Sequence, residues 1–204
     1  MHHHMDVFMG LGVIANILTS CIEVYPKETI GLLGGYRTSK RNRLVMAYPL
    51  QKVSRKKNAV TIMDRKSYRR TLRIMEPMGI EFYGFYHSHP DFVAQPSEHD
   101  ILSSVEEILS LNREHKMLEI IIGIKRKKYK RKQRSDFMLR ELSTKGGRVF
   151  DGYLIEPRNR FDFQIVGEWV EISQLYYEVA PNRYKVNLSI LERDVRRAWT
   201  VEKF

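Results

Sequence analysis

Between Tyr86 and Asp100 the chain reads Tyr-His-Ser-His-Pro-Asp-Phe-Val-Ala-Gln-Pro-Ser-Glu-His-Asp, a stretch whose side chains suit a metal ion. His87 and His89 stand two apart at the end of an apolar, aromatic run holding Ile80, Phe82, Tyr83 and Phe85. Alternate residues of a strand share a face, so both imidazoles can reach one ion. Pro90 disfavours helical geometry at His89, which keeps the pair extended while the chain turns away through a loop. Ser97, followed three residues later by Asp100 and then by Ile101, Val105 and Ile108, predicts a helix with a hydroxyl N-cap and a carboxylate in its first turn. Asp100 can then swing back toward the histidines. Two imidazoles and one carboxylate leave a fourth tetrahedral position for water, the pattern of a catalytic zinc. A closed structural site would want a fourth protein ligand, most often cysteine, and the chain has only Cys21. Zinc brings the pKa of water to about 7 and polarises a carbonyl, which makes amide hydrolysis the natural chemistry. Such a site still needs a general base.

The run His87-Ser88-His89-Pro90, the seven residues from Pro90 to Pro96, then Ser97 and Asp100 resemble the HxH, seven residues, SxxD signature of the JAMM (MPN+) metalloproteases. Pro26-Lys27-Glu28-Thr29-Ile30-Gly31-Leu32-Leu33-Gly34-Gly35 resembles that family's first segment, a glutamate between a first helix and a glycine-punctuated strand. The resemblance covers most of residues 11 to 125. It implies that His87, His89 and Asp100 are the ligands of one Zn2+ ion, Glu28 the base, and Ser97 a helper for the tetrahedral intermediate. It further implies an isopeptidase like the proteasome-lid deubiquitinase and its archaeal relatives, cleaving the amide between the C-terminal glycine of ubiquitin or a ubiquitin-like protein and a lysine. Alternatives are a JAMM peptidase acting on small peptides or sulfur-carrier proteins, and a non-catalytic MPN scaffold, although scaffolds lack one or more ligands. The RadC-like branch shares the spacing but carries a different middle residue and an early glycine, unlike Ser88 and Asp91.

Elements must hold these groups in place. Met1-His2-His3-His4-Met5 reads as a tag remnant and is set aside. Leu11, Ile14, Leu18, Cys21 and Tyr25 follow helical spacing, so a first helix packs on a sheet. Leu18-Thr19-Ser20-Cys21 resembles a lipoprotein cleavage box only superficially, because no Lys or Arg precedes the apolar run. Strands are expected at Leu44–Leu50, Val60–Met63 and Leu118–Ile124, and a helix capped by Asp64 should turn Tyr68, Leu72 and Met75 to one face. Between the first two of these strands, Ser54, Arg55, Lys56, Lys57 and Asn58 form a turn-like segment that runs on through Ala59 into Val60. The resemblance implies a clamp there that adds a strand beside a modifier's tail; an ordinary exposed hairpin is the bland alternative. Phe137–Leu142 and Arg148–Ile155 bracket a hairpin turn, Phe161–Ile172 reads as a further strand, and Leu188, Leu191, Val195 and Trp199 suggest a C-terminal helix. The element order predicts an α/β fold, a mixed sheet flanked by helices; the resemblance implies that it is of the MPN/JAMM, cytidine-deaminase-like kind, with a catalytic domain over 5–155 and a C-terminal extension over 156–204.

The 204 residues carry a formal net charge of +11 and a single cysteine, which favours acidic partners and fits a cytoplasmic, reducing setting. No apolar run approaches the roughly 20 residues that cross a bilayer. From Lys125 to Arg134 eight of ten residues are Lys or Arg. That reads first as a solvated loop between strands, then as a docking surface for an acidic partner; the resemblance to the proteasome-lid members of the family implies a proteasome as that partner. Nucleic acid comes last, since only Tyr129 offers a stacking face. An HxH pair alone is usually incidental; SxxD downstream and Glu28 upstream make the case here. His99 and His115 read as surface residues, His99 with a possible place beside the ligands.

Overall fold

The computed structural model describes residues 6–38, 41–50, 53–55, 60–62, 65–91, 93–111, 116–144, 147–175 and 178–190. Its elements in chain order are β1 (Val7–Met9), α1 (Leu11–Val24), β2 (Ile30–Arg37), β3 (Asn42–Pro49), β4 (Val53–Arg55), β5 (Val60–Ile62), α2 (Arg65–Met75), β6 (Glu81–Pro90), α3 (Glu98–Leu111), β7 (Lys116–Lys128), β8 (Asp136–Thr144), β9 (Gly147–Glu156), β10 (Asn159–Leu175), β11 (Glu178–Lys185) and β12 (Leu188–Ile190). One mixed sheet runs β12-β1-β3-β2-β6-β7-β10-β9-β8, with β11 paired to β10, while β4 and β5 form a separate antiparallel pair.

Helices cover both faces. Leu118, Ile120, Ile122 and Ile124 of β7 pack with Val13, Ile14, Ile17 and Cys21 of α1. Met117 of β7 joins Phe85, Tyr68 of α2 and Ile108 of α3 on the other face. Burial on both sides explains why β6 and the first two thirds of β7 are almost continuously buried rather than alternating. These two strands pair in parallel, with α3 as the crossover between them. Arg65 of α2 donates to Glu107 of α3 at 2.5 Å, tying the two helices of that face together. Among the described residues no helix is long and apolar enough to cross a membrane.

Several expectations need correction in detail. The basic run is only partly a loop: Lys125–Lys128 continue β7, in register with Asn159–Asp162 of β10. The Lys127 ammonium sits 2.9 Å from Asp162, which neutralises part of the charge that argued for a loop. The remainder is pinned by Tyr129 N–H to Arg158 O and Gln133 N–H to Pro157 O, both at 2.8 Å. Leu188, expected to open a helix, lies instead in β12, where it is fully buried and in parallel register with Val7. Leu191, Val195 and Trp199 lie outside the described residues, as do Asp64 and, in the expected clamp, Lys56, Lys57, Asn58 and Ala59. Ser54, Arg55 and Val60 of that segment belong to the β4–β5 pair, Arg55 opposite Val60. The chain from 159 to 190 contributes β10, β11 and β12 to the same sheet as the site-bearing strands.

Candidate metal centre

The centre lies at the C-terminal end of β6 and the start of α3. His87 and His89 project from one face of β6, are buried, and bring their Nε2 atoms to 3.0 Å from each other. Asp100 arrives from the first turn of α3, with Oδ1 3.5 Å from His87 Nε2 and Oδ2 3.3 Å from His89 Nε2. Ligands about 2.0–2.1 Å from a tetrahedral zinc stand about 3.3 Å from one another, so the spacing of these donors fits such an ion. Ligand atoms of all three residues lie within 4.8 Å of each other. Borderline imidazole nitrogens with one carboxylate are also the chemistry zinc accepts.

Local sequence accounts for this convergence. Ser97 and Asp100 exchange hydrogen bonds as a capping box: Asp100 N–H donates to Ser97 Oγ at 3.2 Å, and Ser97 N–H donates to Asp100 Oδ2 at 2.7 Å. The Ser97 hydroxyl also donates to Oδ2 at 2.7 Å, which leaves Oδ1 directed at His87. Burial alone would raise the Asp100 pKa, but hydrogen bonds from His87, His89 and Ser97 hold it far below the carboxylate range. The same contacts act in reverse on His87. Burial disfavours its cation, yet Asp100 and Glu119 raise its pKa above the ordinary imidazole value.

Glu28 occupies the connection between α1 and β2. Thr29 N–H donates to Ser88 Oγ at 3.0 Å and Ser88 N–H to Thr29 O at 3.1 Å, and Ile30 lies opposite His87 in the sheet. The Glu28 carboxylate lies within electrostatic reach of His89, His87 and Asp100. Burial raises its pKa above the ordinary glutamate value, an effect only partly offset by His89 and His87. His99 is exposed and also acts electrostatically on Glu28. Cys21 is buried in the α1 packing, its thiol pushed up to about 12 by burial, which keeps it protonated and away from ligation.

Two contributors escaped the sequence reading. Glu119 of β7 is buried behind His87, its Oε1 3.8 Å from His87 Nδ1, and receives the Ser104 hydroxyl at 3.2 Å. Its signal was a lone acid inside the apolar strand Met117–Ile124. Tyr25 donates its hydroxyl to Asp91 Oδ1 at 2.5 Å, beside the end of β6, and no local pattern announces that pairing.

The chain matches the family described as prokaryotic homologs of the JAB domain over residues 11–136, and it belongs to that family. It is similar to the "Probable TtuB-protein conjugate cleaving protease" of Thermus thermophilus, 27% identical over 100 residues. That match takes in 49% of this chain and 64% of the relative, so a third of the relative's length has no counterpart in it. In fold it is similar to the solution structure of protein DSY2949 from Desulfitobacterium hafniense, with a TM-score of 0.50 and 18% identity over 91% of this chain and 93% of the other.

Proposed function

We propose that this protein is a zinc-dependent isopeptidase that hydrolyses the amide joining the C-terminal glycine of a ubiquitin-like modifier to a lysine. The observation that carries the reading is the convergence of His87, His89 and Asp100 with Glu28 within electrostatic reach of them on a separate connection. Similarity to a relative named "Probable TtuB-protein conjugate cleaving protease" supports a conjugated protein as substrate class.

His87, His89 and Asp100 would hold the ion, which when bound supplies Lewis acidity toward a carbonyl and acidifies water. Glu28 takes the proton from the attacking water and delivers it to the leaving lysine amine. In the metal-free protein its half-buried setting raises its basicity. Ser97 orients Asp100 through its hydroxyl in the resting site. For the oxyanion to receive a hydrogen bond, that hydroxyl turns from Asp100 Oδ2 toward the developing charge. The β4–β5 pair is the element proposed to grip the modifier's tail by strand addition. A proteasome or other acidic partner enters the proposal only through the basic run, exposed at Lys125, Lys127, Lys128 and Lys130–Arg134.

The test is cleavage of an isopeptide-linked ubiquitin-like fusion by tag-free protein of measured zinc content, beside a short peptide amide and Glu28→Gln. Cleavage abolished by chelator, restored by zinc and lost in the variant supports the reading. Cleavage of the short peptide alone replaces it with a small-peptide peptidase. Failure to bind zinc sinks both.

A further inference from the structure

Glu28 has no hydrogen bond to its carboxylate among the described residues, so its place is set by the backbone on either side. Both sides are fastened to the end of β6. On one, the Thr29–Ser88 pair joins the chain just after Glu28 to the residue between the two histidines. On the other, the Tyr25 hydroxyl closes on Asp91, two residues beyond His89.

The second fastening is itself firmly held. Asp91 has φ 65, a left-handed conformation uncommon outside glycine, and its N–H donates to Ile124 O at 2.7 Å. Such outliers persist only where their surroundings over-determine them. The Tyr25 ring lies under the Arg126 guanidinium, 4.8 Å from its centroid, and makes a T-shaped contact with the ring of Phe161 at 5.8 Å. Three elements therefore converge on one exposed hydrogen bond that neither ligates a metal nor moves a proton.

We propose that Tyr25 is a positioning residue for Glu28: its hydroxyl, closed on Asp91, sets the distance between the base and the histidine pair. Only Pro26 and Lys27 separate Tyr25 from Glu28, so the clasp leaves little slack. A base must come within about 2.6–3.2 Å of the proton it takes, and a displacement of about 1 Å can reduce turnover by about 10²-fold. The catalytic consequence rests on the isopeptidase reading; the clasp itself does not.

Tyr25→Phe removes the hydroxyl and keeps the ring for Arg126 and Phe161. In the zinc-loaded full chain we expect unchanged zinc content and a KM within about twofold. We expect kcat to fall roughly tenfold or more. Asp91→Gly, which removes the carboxylate and tolerates the left-handed backbone, should do the same, with the double variant no worse than either single one, since both remove one contact. Amide exchange at Lys27, whose N–H donates to Val24 O at 3.0 Å, should quicken in Tyr25→Phe, while Thr29, held by Ser88, stays protected. Unchanged kcat overturns the inference, whatever the exchange shows. So does a loss confined to KM, or a loss of zinc. If the unaltered, zinc-loaded protein cleaves nothing, the isopeptidase reading has failed instead; exchange then decides the clasp, and an unchanged rate at Lys27 overturns it.

Discussion

Glu28 resists ionisation because its partial burial strips water from the carboxylate, and this gives it opposite effects on turnover and on stability. Glu28→Gln should retain zinc while lowering turnover by about 10²–10⁴-fold, read from metal content and cleavage rate together. Its folded pKa is raised above the unfolded value. The metal-free fold is therefore relieved of this penalty below the ordinary glutamate pKa and bears it in full above the raised one. Melting of metal-free protein across pH should show Glu28→Gln more stable at pH 7, with the difference vanishing as pH falls through about 4.3. Zinc loading adds positive charge beside the carboxylate and should shrink the gap. Glu119 works on the other side of His87. Its charge favours a proton on Nδ1, which presents the Nε2 lone pair to the centre. Glu119→Gln should weaken zinc binding by about 10–100-fold in a chelator competition, with β7 pairing intact by circular dichroism.

At the scale of elements, the site depends on how closely β2 can approach β6. A Cβ on Gly31 would fall on the ring of Tyr86, which is fully buried and shares a hydrogen bond of 3.0 Å with Ser20 of α1. Gly31→Ala should lower stability by about 1–3 kcal/mol in a urea titration. Gly12→Ala, in open space on α1, should be neutral or slightly stabilising. Much of this scale was legible in the sequence. Helical spacing located α1 and the inner face of α2, and the serine–aspartate spacing located the start of α3, because each is a pattern within a few residues. The union of β6 with α3 was legible because an HxH and an SxxD separated by a proline-bounded loop are local too. What could not be read was decided by distant chain. Lys125–Lys128 are strand because Asn159–Asp162 pair with them, and Leu188 is strand because Val7 does. Glu119 and Tyr25 contribute through partners on other elements, His87 and Asp91.

Across the whole molecule, β10 lies between β7 and β9 and places Phe161, Phe163, Ile165 and Trp169 in the core against α1. A chain ending at residue 155 would leave β7 with an unpaired inner edge and that core open. It should bind an exposed-hydrophobe dye and fail to melt cooperatively; a sharp transition would show that residues 5–155 stand alone as a domain. The far edge carries a different lesson. β1 and β12 join residues from nearly opposite ends of the described chain, Val7 beside Leu188. Bringing them together requires closing almost the largest loop the chain can make, with the entropy loss paid before the contact is rewarded. That edge should assemble after the β6–α3–β7 unit, so a nascent chain holds its histidine pair and Asp100 in place while its two ends are still searching for each other.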